Sequence, residues 1–290
     1  MNRAVELLDL LLAVAGGLVF AACLWRWWRL GRRDPLRGSP LRSNSLWLLD
    51  VWLIIGIYVL GISLGSQMAK GLAPAELAGE GLVVWQGVFG TSVAQILIVA
   101  ACLAMARRSF AAGIRGFGIG RNPPSRDLVW ALGGWLVAIA ATRLVVFATQ
   151  VVIHWWSPDF QAPEHGVFQT LENPAVRTWM RAVAIAGAFL LAPIGEEMLF
   201  RGVLQTSLRK VLPPRTGSLA HRWAAVAAAG ALFGLVHSST PHHVPALIVL
   251  GILLGFLYER TGSLVVPVLV HMLFNGKSLL WSYLVGQPSQ

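Results

Sequence analysis

Val183-Ala184-Ile185-Ala186-Gly187-Ala188-Phe189-Leu190-Leu191-Ala192-Pro193-Ile194-Gly195-Glu196-Glu197-Met198-Leu199-Phe200-Arg201 decides how this chain is read. The run stays largely apolar to Leu208 and has the character of a membrane helix, interrupted by two adjacent carboxylates and an arginine. A charge at the bilayer centre costs at least about 2.5 kcal/mol, so such residues are rare and mark function. Glu197 and Arg201 are four residues apart, so one helical turn pairs them. Glu196 points about 100° away from Glu197 and has no cation on its own turn. The role of Glu196 is therefore the question the rest of the chain must answer.

The surrounding composition is that of a polytopic membrane protein. Hydrophobic residues make up 56% of the chain and charged residues only 12%, against about a quarter in soluble domains. The 13 tryptophans suit residues that settle at membrane interfaces. A formal charge of +10 raises a nucleic-acid reading. It is rejected, because the arginines sit in short loops between apolar runs, where membrane topology places them. Cys23 and Cys102 both fall in apolar runs and imply neither a disulfide framework nor a metal site. The N-terminus is not read as a cleaved leader: Arg3 is offset by Glu6 and Asp9, and the apolar run continues to Trp28 before an arginine cluster. Phe20-Ala21-Ala22-Cys23 is a weak lipidation motif in too long an apolar stretch.

A span needs roughly 20 apolar residues. That rule predicts an all-α fold of about eight transmembrane helices: Val5–Trp28, Leu46–Met68, Leu82–Met105, Leu128–Trp155, Val176–Leu208, Arg222–His237, Val244–Tyr258 and Leu264–Leu284. The fifth is long, with a break expected near Pro193, and the sixth and seventh are short. Arg29, Arg32, Arg33, Arg37 and Arg42 occupy the first loop; Arg107, Arg108, Arg115, Arg121 and Arg126 the third; Arg209, Lys210, Arg215 and Arg222 the fifth. The alternate loops are poorer in cations and hold Glu76, Glu80, Asp159, Glu164 and Glu172. The excess of cations predicts that the odd loops are cytoplasmic and both termini lie outside. Residues 157–174 form the longest external loop. The chain divides into 1–127, without obvious chemistry, and 128–290, where the polar residues gather. Spaced glycines in Arg115–Arg121 are not a dinucleotide fingerprint, since no strand precedes them.

Three other polar residues stand deep in these runs. His237 ends the sixth, one turn after Phe233, and His271 in the eighth is followed one turn later by Asn275. From the arginine-rich side, Glu196 lies roughly 20 Å deep, His237 roughly 22 Å, Asn275 roughly 18 Å and His271 roughly 12 Å. Three helices thus bring polar groups to overlapping depths. A carboxylate removed from water becomes a useful general base. An imidazole can hold the water it activates, and a second imidazole with an amide can donate to an oxyanion. That set suffices for peptide hydrolysis without a covalent intermediate. Glu196, His237 and His271 are equally an alternative ligand set for a divalent metal such as zinc, though no His-Glu-x-x-His motif is present. His242 and His243, flanked by prolines, read as solvated outer-loop residues. Asp50 and Arg143 are charges inside predicted spans, either paired across helices or near water.

Glu196-Glu197-x-x-x-Arg201, Phe233-x-x-x-His237 and His271-x-x-x-Asn275, in that order on separate helices, resemble the CPBP family of intramembrane proteases. That family includes the CAAX prenyl endopeptidases and bacteriocin-processing or immunity proteins. The resemblance covers Val176 to Leu284, and an eight-helix total is similar to the CAAX endopeptidases. It implies that Glu196 activates water beside His237, that His271 and Asn275 stabilise the oxyanion, and that Glu197, Arg201 and Phe233 support them. The expected setting is a bacterial inner membrane, with the cavity open to the cytoplasm and a peptide or lipidated protein as substrate. The competing readings are a non-catalytic scaffold or immunity protein, and a transporter using the cluster as a proton or ion relay.

Overall fold

A computed structural model describes residues 3–40, 42–74, 77–160, 166–212 and 219–286. Arg215, Glu76 and Glu164 lie outside them. The described chain contains nine helices and no strand. They are α1 (Arg3–Arg29), α2 (Leu48–Leu72), α3 (Gly79–Ser109), α4 (Pro124–Trp156), α5 (Gly166–Glu172), α6 (Thr178–Val211), α7 (Ala220–Leu235), α8 (Val244–Thr261) and α9 (Val265–Gly286). Each predicted apolar run yields one long helix. The short α5 was not foreseen and lies in the loop read as the longest external one.

Local chemistry sets several ends. Pro124 starts α4, where a missing N–H costs nothing. Gly262 adopts φ +70° after α8 and its N–H donates to Tyr258. Asp50 sits in the first turn of α2 and accepts a hydrogen bond from the Trp47 N–H at 2.8 Å, so it caps a helix rather than interrupting a span. Among the described residues seven helices are long and apolar enough to cross a membrane. The exception is α7, predicted as Arg222–His237. It has 16 residues, about 24 Å at 1.5 Å per residue, short of a bilayer core of about 30 Å. His237 lies in the turn beyond it.

Small residues set the helix pairs. Gly61 meets Ala94 and Gly65 meets Gly90 between α2 and α3, an antiparallel register. Gly230 meets Gly251 and Ile252, and Gly234 meets Ile248, between α7 and α8. A Cβ on Gly230 would stand 2.6 Å from the Ile252 nitrogen, so only glycine permits this approach. Leu254, Phe117, Phe233, Tyr258 and Met198 fill the space between helices. Leu49, Trp52, Leu60, Trp155 and Trp156 are exposed on the outer surface, as expected where the solvent is lipid.

The fifth long run is not broken. Backbone angles stay helical from Thr178 to Val211, but two stretches are wound wider, with π-type turns at Gly187–Leu191 and Met198–Gln205. Ala192 N–H reaches back five residues to Gly187. The same pattern would pair Ala188 with Pro193, which has no N–H. The wide turn thus absorbs the proline without a break and leaves the Ala188 carbonyl in need of a donor.

At the arginine-rich end, buried Glu259 of α8 receives Arg209 at 2.9 Å and Arg42 at 3.9 Å. Ser263 donates to Asp127 at 2.7 Å. These contacts tie the cationic loops onto the bundle.

Candidate active site

Glu197 is fully buried on α6 and is the hub of the site. Arg201 Nη1 donates to Glu197 Oε1 at 3.0 Å. Arg201 Nε stands 3.0 Å from Oε2 but off the hydrogen-bonding axis, so that contact is purely ionic. Arg201 Nη2 donates to the Gly251 carbonyl of α8 at 2.9 Å, and its guanidinium lies 4.7 Å from the Phe233 ring centroid. The expected one-turn pair is present, and it reaches two further helices. His271 Nδ1 stands 3.0 Å from Glu197 Oε1. A carboxylate only accepts, so Nδ1 carries the proton and Nε2 is the nitrogen left for the cavity.

His237 is fixed in the same sense. Its Nδ1 lies 2.8 Å from the Phe233 carbonyl, so Nδ1 donates there and Nε2 stays free. Phe233 packs against His237 at 5.1 Å, His271 at 5.5 Å and Phe200 at 5.2 Å between ring centroids. It is the apolar spacer between the two imidazoles. Asn275 Nδ2 donates to the Ala188 carbonyl at 2.9 Å, the group that Pro193 leaves without a backbone partner. One N–H of the amide is therefore structural, and its second N–H and its oxygen remain available.

Glu196 differs from all of these. It is half-buried, forms no hydrogen bond or ion pair among the described residues, and lines a cavity of about 760 Å³. His237, His271, Asn275 and Phe233 line the same cavity, with Tyr58 of α2 and Gln95 of α3. The sequence motifs thus converge on one space, to which the N-terminal helices also contribute walls.

One expectation is corrected here. His242 is buried, its ring 6.2 Å from Phe160, and half-buried His243 lines the cavity. A 3₁₀ turn at Pro241–His243 folds this loop inward, so His242 is packed rather than solvated and His243 faces the cavity. The lining of the cavity bears on the compartment it faces. It includes Gly166, Phe168, Thr240, His243 and Leu279 at the end of the bundle opposite the arginine-rich loops, and no residue of those loops.

The alternative metal set was Glu196, His237 and His271. Among the described residues no three His, Cys, Asp or Glu side chains form a group able to hold a metal ion. His271 and His237 each hold Nδ1 on an oxygen acceptor and leave Nε2 toward the cavity, an arrangement that metal-bound imidazoles also use.

Sequence reasoning missed Asp9, Arg143 and Lys277, which also line the cavity. Arg143 and Lys277 both form ion pairs with Asp9. Arg143 stood out as a charge within a span. Asp9 looked like part of a weak N-terminal charge pattern, and nothing local in the sequence joins it to residues 134 and 268 positions away.

Residues 178–276 match the family described as type II CAAX prenyl endopeptidase Rce1-like. This segment is similar to that family over about a third of the chain. It contains Glu196, Glu197, Arg201, Phe233, His237, His271 and Asn275, the positions that carried the CPBP resemblance. No curated protein and no solved structure matches the chain.

Proposed function

We propose that the protein hydrolyses peptide bonds inside the membrane, with Glu196 as the base that activates water. The observation carrying this reading is the contrast between the two adjacent glutamates. Glu197 has its hydrogen bonds and its counter-ion. Glu196 has neither and opens onto the cavity. An unpartnered carboxylate at this depth is costly unless it serves a reaction.

In this mechanism a water binds between Glu196 and Nε2 of His237, whose ring acts as an acceptor. Glu196 takes a proton as the water oxygen attacks the scissile carbonyl. The developing oxyanion faces His271 and Asn275. His271 Nε2 donates to it only when the ring carries a second proton, since Nδ1–H is already given to Glu197. Glu197 and Arg201 are positioning residues: they hold the imidazole in one orientation. Asn275 contributes the N–H not used on Ala188. Glu196 then returns the proton to the leaving amine, and water, peptide and products balance without a covalent intermediate.

The substrate reading is a membrane-associated peptide, in line with the printed family name, which speaks of prenylated substrates. The largely apolar lining suits an apolar or lipid-modified chain. The test compares purified wild type with Glu196→Gln on prenylated and unmodified peptides in liposomes, with and without chelator. Loss of cleavage in Glu196→Gln, with chelator inert, is the expected result. Cleavage by Glu196→Gln at the wild-type rate overturns the assignment of the base. Loss with chelator alone points to a metal.

A further inference from the structure

The cavity carries a charge set that the proposed chemistry does not use. Asp9 of α1, Arg143 of α4 and Lys277 of α9 line it together. Arg143 pairs with Asp9 Oδ2 and Lys277 with Asp9 Oδ1. One carboxylate serves two cations, so the cluster keeps one surplus positive charge. The Arg143 side chain is 46% exposed, against 20% for Asp9 and 19% for Lys277, so the arginine is the accessible member. Lys277 lies 4.9 Å from the Trp281 ring centroid, which holds its ammonium in place. The other acid lining the cavity is Glu196, which forms no ion pair.

A net positive cluster inside an apolar wall favours an anionic ligand. We propose that Arg143 and Lys277 form a carboxylate-binding subsite for the free C-terminus of the peptide substrate. The proposal rests on the endopeptidase reading and names which end of the substrate the cavity holds. A guanidinium with an ammonium beside it suits a carboxylate, since arginine offers two parallel N–H donors. The position fits. Lys277 is six residues beyond His271 on α9, about 9 Å along the axis. An extended peptide covers that distance in about three residues.

The experiment uses the full chain in nanodiscs. An apolar tripeptide with a free C-terminus and its C-terminal amide are titrated by calorimetry, and longer acid and amide peptides are tested for cleavage. Wild type is expected to bind the acid about 10- to 100-fold more tightly than the amide, the range of a hydrogen-bonded charge. Lys277→Met and Arg143→Gln should bring the two ligands close to parity, and Lys277→Arg should retain the preference. Equal binding of acid and amide by wild type overturns the proposal. So does a preference that survives both variants. If the variants only lower thermal stability and leave the acid-to-amide ratio intact, the cluster is a strut tying α1 to α4 and α9. Stabilisation by phosphatidylglycerol vesicles that Lys277→Met abolishes, with no peptide preference, assigns the cluster to a lipid phosphate instead. Glu196→Gln separates the two readings: it should keep the acid preference and lose cleavage. Cleavage by that variant at the wild-type rate removes the base while leaving the binding ratio to decide the subsite.

Discussion

Glu197 is buried with Arg201 and His271 around it, while its neighbour Glu196 touches no hydrogen-bonding partner among the described residues. Opposite consequences follow from neutralising Glu196 and from taking Glu197's arginine away. Glu196→Gln removes no hydrogen bond and relieves a half-buried charge, so stability in detergent should hold or rise, while cleavage is lost. Arg201→Met leaves Glu197 buried without its guanidinium and with only His271 beside it, and should cost about 3–5 kcal/mol as well as activity. Thermal unfolding beside the peptide assay separates these outcomes. Equal destabilisation by the two changes would sink the division into a working and a supporting glutamate. The i,i+4 spacing made the Glu197–Arg201 pair legible in the sequence. The third member was not, because His271 is 74 positions from Glu197 and comes beside it only when α9 packs on α6.

The apolar runs gave away the helices, since each needs only length and composition to be recognised. The winding of α6 was hidden. Pro193 looked like a break because proline removes an N–H and crowds the preceding turn. The wide turn at Gly187–Leu191 moves the missing bond to Ala188, and Asn275 on α9 supplies the donor. That exchange predicts coupling between distant positions. Asn275→Ala should destabilise by about 1–3 kcal/mol, the cost of an unsatisfied buried carbonyl. Pro193→Ala restores a backbone N–H, and the same asparagine change should then cost less, with an interaction of at least about 0.5 kcal/mol in a double-mutant cycle. Additive losses would mean that the amide does not replace the missing backbone donor. The α7–α8 contact gives a second check. Gly230→Val must push Ile252 away, at about 1–3 kcal/mol. It should also lower cleavage, since His237 lies just beyond α7.

At the scale of the bundle, eight alternating helices, seven of them long enough to span, put both ends of the described chain on one side, where the cavity also reaches. The arginine-rich loops occupy the other side. Loop charge was legible, but the depth scale drawn from it could not say which end of the site was open. That depends on α5, on the turn around Thr240 and on the cationic cluster near Asp9, all assembled by packing. If cations keep their loops in the cytoplasm, the cavity faces the opposite compartment and its peptides arrive from there. Labelling in intact cells tests this. In a background carrying Cys23→Ser and Cys102→Ser, Gly166→Cys marks the cavity end and Arg115→Cys the arginine-rich end; both positions are exposed. A membrane-impermeant thiol reagent is expected to modify Gly166→Cys in intact cells, and Arg115→Cys only after permeabilisation. The reverse pattern would place the mouth of the cavity in the cytoplasm, so that the arginine loops defy the charge rule and the substrate is drawn from inside the cell.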